Sequence, residues 1–196
     1  MPKLKVIFDT DPGVDDAMAL MLLARHPDVE LLGVTTVFGN ADIDNVTRNA
    51  LYLRERFGFD APIARGAARP LTGRTTAPPP HFIHGRNGLG DIALPDTIEA
   101  PLDQRPAHQF IIDALRSHPH DVTIIAVGRM TNLALALESA PDVTGLVHDV
   151  VVMGGAFGRN GHMGNVSPVA EANIYGDRLA RDHHRARRHP GNRDER

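Results

Sequence analysis

Short apolar runs of strand length alternate with stretches of helical length along most of the chain. Residues 3–9 are rich in Val, Ile and Phe and predict a central strand. Residues 17–24 are apolar nearly all round and predict a helix buried on most sides, stopped before Pro27. Residues 29–37 predict a second strand that ends in Phe38-Gly39-Asn40, after which Asp42 can cap a helix running to about residue 57. Residues 62–64 read as a short third strand. The Pro- and Gly-rich segment 66–101 is far longer than the ~12–15 residues of an idle connection, which points to a functional loop. An amphipathic helix is predicted over 105–117, with Ala107, Phe110, Ile111 and Leu115 as its apolar stripe. A buried strand follows over 122–127, then a helix to about residue 138 and a last strand over 149–153. This rhythm implies right-handed crossovers and an α/β fold, a mostly parallel open sheet with helices on both faces. Ligands of such sheets lie beyond the carboxyl ends of the strands, so Asp9, Asp11 and Asn40 should share one mouth.

Composition narrows the class without naming a function. The 196 residues are 42% hydrophobic and 23% charged, ordinary for one globular domain with its own core. There is no Cys, the amino end lacks the pattern of a signal peptide, and no apolar run reaches the ~20 residues of a membrane span. A cytoplasmic protein with no membrane partner is the expectation. A net charge of −3 gives no reason to expect a nucleic-acid partner.

The chemistry concentrates at Asp9-Thr10-Asp11-Pro12-Gly13-Val14-Asp15-Asp16, where a strand turns into a helix. Four carboxylates packed so closely destabilise the fold unless a cation or a set of donors answers them. Asp15 and Asp16 gain some help from the helix N-terminus, which cannot serve all four. With no Cys in the chain and no His in the cluster, a hard ion fits better than zinc, and Ca²⁺ tolerates irregular oxygen shells best. Further along stand His84-Gly85-Arg86-Asn87-Gly88-Leu89-Gly90, Gly128-Arg129-Met130-Thr131-Asn132-Leu133 and Gly164-Asn165-Val166-Ser167-Pro168-Val169-Ala170-Glu171-Ala172-Asn173. Each has a plainer reading too. Asn40 could be a turn residue, His84 an exposed loop histidine, and Thr131 or Asn132 a helix cap.

The acidic turn, the His-Gly loop, the Gly-x-x-Thr-Asn-Leu segment and the Asn/Glu-rich motif, in that order, resemble the nucleoside hydrolases, the inosine-uridine preferring N-ribosyl hydrolases. The resemblance spans residues 3–175 and implies the Rossmann-like fold of that family with its C-terminal part missing. It implies hydrolysis of the N-glycosidic bond of a ribonucleoside, with Ca²⁺ held by Asp11, Asp16 and the Val127 carbonyl. Asp11 would be the general base, Asp9 a structural support of the turn, and Asp15, Asn40, His84, Asn165, Glu171 and Asn173 would bind substrate. The expected partner is a small nucleoside, and the family's habit is the homo-oligomer. Two departures stand out: Ala172 replaces a usual bulky aromatic, and Arg86 a frequent acid.

After Tyr175 the pattern breaks, and residues 176–196 read as a basic, His- and Arg-rich tail beyond a domain of residues 1–175. His183 and His184 match no family motif, and family members continue in the α/β pattern, so a truncated chain is expected. Two rivals stay open: a non-catalytic fragment that keeps weak metal and ribose binding, and a dehalogenase-type phosphatase with Asp9 as nucleophile.

Overall fold

The computed structural model describes residues 2–74, 78–155 and 161–180. Six parallel strands form one sheet: β1 (Leu4–Thr10), β2 (Val29–Thr36), β3 (Ile63–Ala64), β4 (Leu102–Asp103), β5 (Val122–Ala126) and β6 (Asp149–Val152), in the order β4-β3-β2-β1-β5-β6. The expected α/β architecture is therefore present. The helices are α1 (Val14–Arg25), α2 (Ile43–Phe57), α3 (His81–His84), α4 (Ala107–Ser117), α5 (Thr131–Ser139) and α6 (Ala172–Gly176).

Alternation along β1 sorts the layers. Phe8 packs with Leu20 of α1, Val34, and Ala50 and Leu53 of α2 on one face. Ile7 packs with Phe110 and Ile111 of α4 and Leu133 and Ala134 of α5 on the other. Phe110 lies on Gly33, beside the register shift in the β1–β2 ladder, where any side chain would overlap its ring. Asp42 caps α2 as expected, accepting from the Asn45 amide at 2.8 Å, and Gly58 ends that helix in the left-handed region at φ 63°.

Several expectations need correction. α1 is buried along the Leu20 side only; Val14, Met18, Met21 and Leu22 are exposed, because the sheet and α2 cover one stripe and no described element covers the other. β4, α3, α6 and a 3₁₀ turn at Pro141–Gly145 are too short to show a hydrophobic period in sequence. Packing also continues past residue 175, since Gly176, Asp177 and Ala180 are buried. The remainder of the expected tail, 181–196, lies outside the described residues.

The chain winds outward from β1 in both directions, to β2, β3 and β4 on one side and to β5 and β6 on the other. A crevice opens at such a reversal, beyond the strands' carboxyl ends. Asp9 and Asp11 at the end of β1 and Val127-Gly128 at the end of β5 flank it, joined by the Val127 amide donating to the Asp9 carbonyl at 2.8 Å.

Candidate active site

The turn from β1 into α1 is built on carboxylates that receive hydrogen bonds. Asp16, three residues into the helix, accepts from the Gly13 amide at 3.0 Å, Thr10 Oγ1 at 2.9 Å and Asn40 Nδ2 at 2.9 Å. One Asp11 oxygen, Oδ2, accepts from the Asn40 amide at 2.8 Å. The other, Oδ1, is buried without a protein partner among the described residues. Two glycines make this placement feasible. A Cβ on Gly39 would overlap Asp11 Oδ2, and one on Gly128 would stand 2.9 Å from Oδ1, so the backbone itself cradles the carboxylate.

Burial dominates the electrostatics. Asp11 is held well above the usual carboxylate range, first by desolvation and then by the charge of Asp16. Desolvation also raises Asp16 to about 6, against the opposing bond from Gly13. Asp9 is likewise raised to about 6 by burial, opposed by bonds from Asn132 and Thr35. Asp9 Oδ1 accepts from Thr35 Oγ1 at 2.5 Å and Asn132 Nδ2 at 2.8 Å, tying β1 to β2 and α5. A fully buried carboxylate so engaged supports the turn by tying together three elements.

Around this centre the other candidates fall unevenly. Asn40 turns its amide nitrogen inward, to the Asp11 carbonyl at 3.0 Å and to Asp16, so it orders the acids. His84 is buried, with Nδ1 accepting from the Val14 amide at 3.4 Å and lying 3.9 Å from Asp15; it is not an exposed loop histidine. Asn40 and His84 flank Gly13, whose added Cβ would meet them at 2.6 and 2.7 Å. Asp15 itself is exposed at the rim. On the opposite side, Asn173 Nδ2 donates to the Val127 carbonyl at 2.7 Å and the Met153 carbonyl at 3.0 Å, bridging the ends of β5 and β6. Glu171 caps α6 through the Asn173 and Ile174 amides, and exposed Asn165 accepts from the Ala172 amide at 3.0 Å. Asp11, Asp16, Asn40, Val127 and Asn173 are thus linked directly or through one residue. Asp15 and His84 form a neighbouring pair, while Glu171 and Asn165 join through α6.

A family model for the inosine-uridine preferring nucleoside hydrolases matches residues 6–183. The chain belongs to that family. It is 45% identical over 179 residues to uridine nucleosidase 1 of Arabidopsis thaliana, covering 91% of this chain and 52% of that one. It is 41% identical to the inosine-uridine preferring nucleoside hydrolase of Leishmania major, covering 90% and 55%. Among solved structures, a plant nucleoside hydrolase superposes with a TM-score of 0.86 at 39% identity, over 93% of this chain and 56% of that chain. A purine-preferring ribonucleoside hydrolase from Gardnerella vaginalis gives 0.85 at 35%, over 91% and 56%. The chain spans about half the length of the relatives it matches.

Within this nucleoside hydrolase framework, five polar residues carry weight that the sequence reading missed. Neither Thr131 nor Asn132 caps α5: Thr131 Oγ1 donates to Asp177 Oδ2 at 2.7 Å, and Asn132 also donates to the Thr36 carbonyl at 2.9 Å and accepts from the Ala67 amide at 2.9 Å. Asp177 also accepts from the Leu71 amide at 2.9 Å. Asn49 donates to the carbonyls of Pro12 and Asn87 at 3.1 and 2.8 Å, seating the His-Gly loop on the acidic turn. Arg129 is buried, with its guanidinium 4.4 Å from the centre of the Phe38 ring. Asn49 shares the face of α2 that carries Val46, Ala50 and Leu53, and Asn132 opens the apolar α5; a polar residue at such a position was the available signal.

The fit to a divalent cation rests on donor chemistry. Asp11 Oδ1 is an orphaned hard oxygen, the Asp16 carboxylate adjoins it, and the Val127 carbonyl keeps a lone pair beyond its bond to Asn173. These suit Ca²⁺ or Mg²⁺ in type but fill less than the six to eight positions Ca²⁺ takes. No group of three or more acid or histidine side chains is poised for a metal among the described residues. No described helix is long and apolar enough to cross a membrane.

Proposed function

We propose that this chain carries the metal- and sugar-binding half of a nucleosidase that hydrolyses the N-glycosidic bond of ribonucleosides, uridine and inosine first among them. The carrying observation is the Asp11 carboxylate, cradled by Gly39 and Gly128 with one buried oxygen left unpartnered at the β1/β5 crevice. Family membership and relatives named for uridine and inosine-uridine hydrolysis support the substrate class.

Asp11, Asp16 and the Val127 carbonyl would hold the cation, Ca²⁺ by preference. When bound, it would lower the pKa of a water and polarise the sugar's hydroxyls. Asp11 would take the proton of the attacking water as general base. Asn40 fixes the two acids by donating to Asp16 and, from its main chain, to Asp11. Asn173 and Glu171 would bind the sugar from α6 together with Asp15, and His84, beside Asp15, would line the substrate site. Asn165 braces α6 and contributes through it. A carboxylate and amides together can read both donor and acceptor sides of a vicinal diol.

A base-release assay on uridine, inosine and cytidine, with Ca²⁺ and with chelator, tests this on wild type and Asp11→Ala. Calcium-dependent release that falls at least ~10²-fold in the variant is expected. Release that survives in Asp11→Ala refutes the assignment. Intact nucleosides alongside calorimetric Ca²⁺ binding would instead identify a non-catalytic fragment.

A further inference from the structure

Arg129 occupies the position after Gly128, and Phe38 the position before Gly39. The two glycines cradle the Asp11 carboxylate, and the side chains next to them stack on one another, Arg129 Cζ standing 4.4 Å from the Phe38 ring centre. The guanidinium also lies against Gly176 of α6, where any Cβ would overlap Nε. Arg129 is thus a buried cation packed on the Phe38 ring and against the Gly176 backbone, one residue along the chain from the cradle glycine Gly128. Such a planar stack is available to guanidinium and not to an ammonium.

Its charge acts on the Asp11 and Asp177 carboxylates. Asp177 already has the Thr131 hydroxyl and the Leu71 amide, whereas Asp11 Oδ1 has no hydrogen-bond partner. Among the described residues, Arg129 is the fixed positive charge that bears on the Asp11 carboxylate. A divalent cation drawn to the same carboxylate meets that charge in a poorly screened interior, where like charges repel.

Resting on the metal reading above, we propose that Arg129 is the resident counter-charge of the Asp11 seat: a positioning residue that competes with a divalent cation there and so sets how tightly the cation is held. The sign of the effect separates this from a packing role. Arg129→Met keeps length and apolar bulk but removes the charge, so it should tighten Ca²⁺ binding by roughly tenfold or more. Phe38→Leu removes the ring and keeps the charge, so it should leave affinity unchanged or weaker. A merely structural residue would weaken binding in both.

The test is calorimetric titration of the full chain with Ca²⁺ alone, for wild type, Arg129→Met, Phe38→Leu and Asp11→Asn, with Arg129→Gln replacing the Met variant if that fails to fold. In parallel, urea unfolding in chelator follows Arg129→Met and Asp11→Asn singly and together. The counter-charge predicts coupling: Arg129→Met destabilises the metal-free fold, and less so once Asp11 is Asn. Ca²⁺ binding by Arg129→Met that equals or falls below wild type overturns the proposal, as does additivity in the cycle. If neither wild type nor Arg129→Met binds Ca²⁺, the metal reading fails on its own. The cycle alone then decides whether Arg129 answers Asp11.

Discussion

Replacing Asp9 by Asn should flatten part of the pH dependence of folding. Asp9 is fully buried, accepts from Thr35 Oγ1 and Asn132 Nδ2 on one oxygen, and has no partner for the other. Burial raises its pKa from 3.8 to about 6. In the unfolded chain the carboxyl loses its proton first, so between these two values the native state binds more protons. Stability must therefore fall as pH rises from about 4 through 6 and level off above that. A displacement of about two pKa units corresponds to roughly 3 kcal/mol once both states are ionised, of which about 2 kcal/mol develops between pH 4.5 and 7. Asn keeps the shape and cannot ionise.

The measurement is urea unfolding in chelator at half-unit steps from pH 4.5 to 8, for wild type and Asp9→Asn. The quantity of interest is the difference between the two stability curves, because it cancels Asp11, Asp16 and the histidines. That difference, wild type minus variant, should decline by about 2 kcal/mol over the interval and then stay flat. A difference that is level throughout, or that climbs with pH, would mean that Thr35 and Asn132 fully compensate the charge and that the desolvation argument is wrong. A constant offset is expected in either case, since the Asn Nδ2 would stand where Asp9 Oδ2 lacks a partner.

Two further substitutions probe the surroundings. Gly39→Ala forces a methyl into Asp11 Oδ2 and should cost roughly 1–3 kcal/mol in urea unfolding, together with Ca²⁺ binding; a cost no larger than that of Gly145→Ala, whose added Cβ meets open space, would deny the cradle. Asp177→Ala strands the Leu71 amide and the Thr131 hydroxyl and should lower stability by about 3 kcal/mol, whereas a loss within experimental error would show the loop seated by other contacts.

The sequence by itself determined the layer architecture and the location of the crevice. The periods of its apolar runs fix which segments are strands and helices, and the crossover rule leaves few ways to arrange them. It also determined the acid-rich turn, because Asp11 and Asp16 sit five residues apart across a strand-to-helix junction. Tertiary structure decided what each polar group is paired with. The same composition is compatible with Asn132 as a cap or as a tie between Asp9, Thr36 and Ala67, and only the packing of α5 against the strand ends selects the second. Arg129 looked like any residue of a glycine-led turn until Phe38, ninety-one positions earlier, was brought over its guanidinium. The apolar face of α1 shows the reverse limit: composition predicts burial, but burial requires a neighbour, and local pattern carries no information about which surfaces meet. Periodicity is a property of adjacent residues, whereas hydrogen-bond partners, orphaned oxygens and stacked cations are set by contacts between segments distant in the chain.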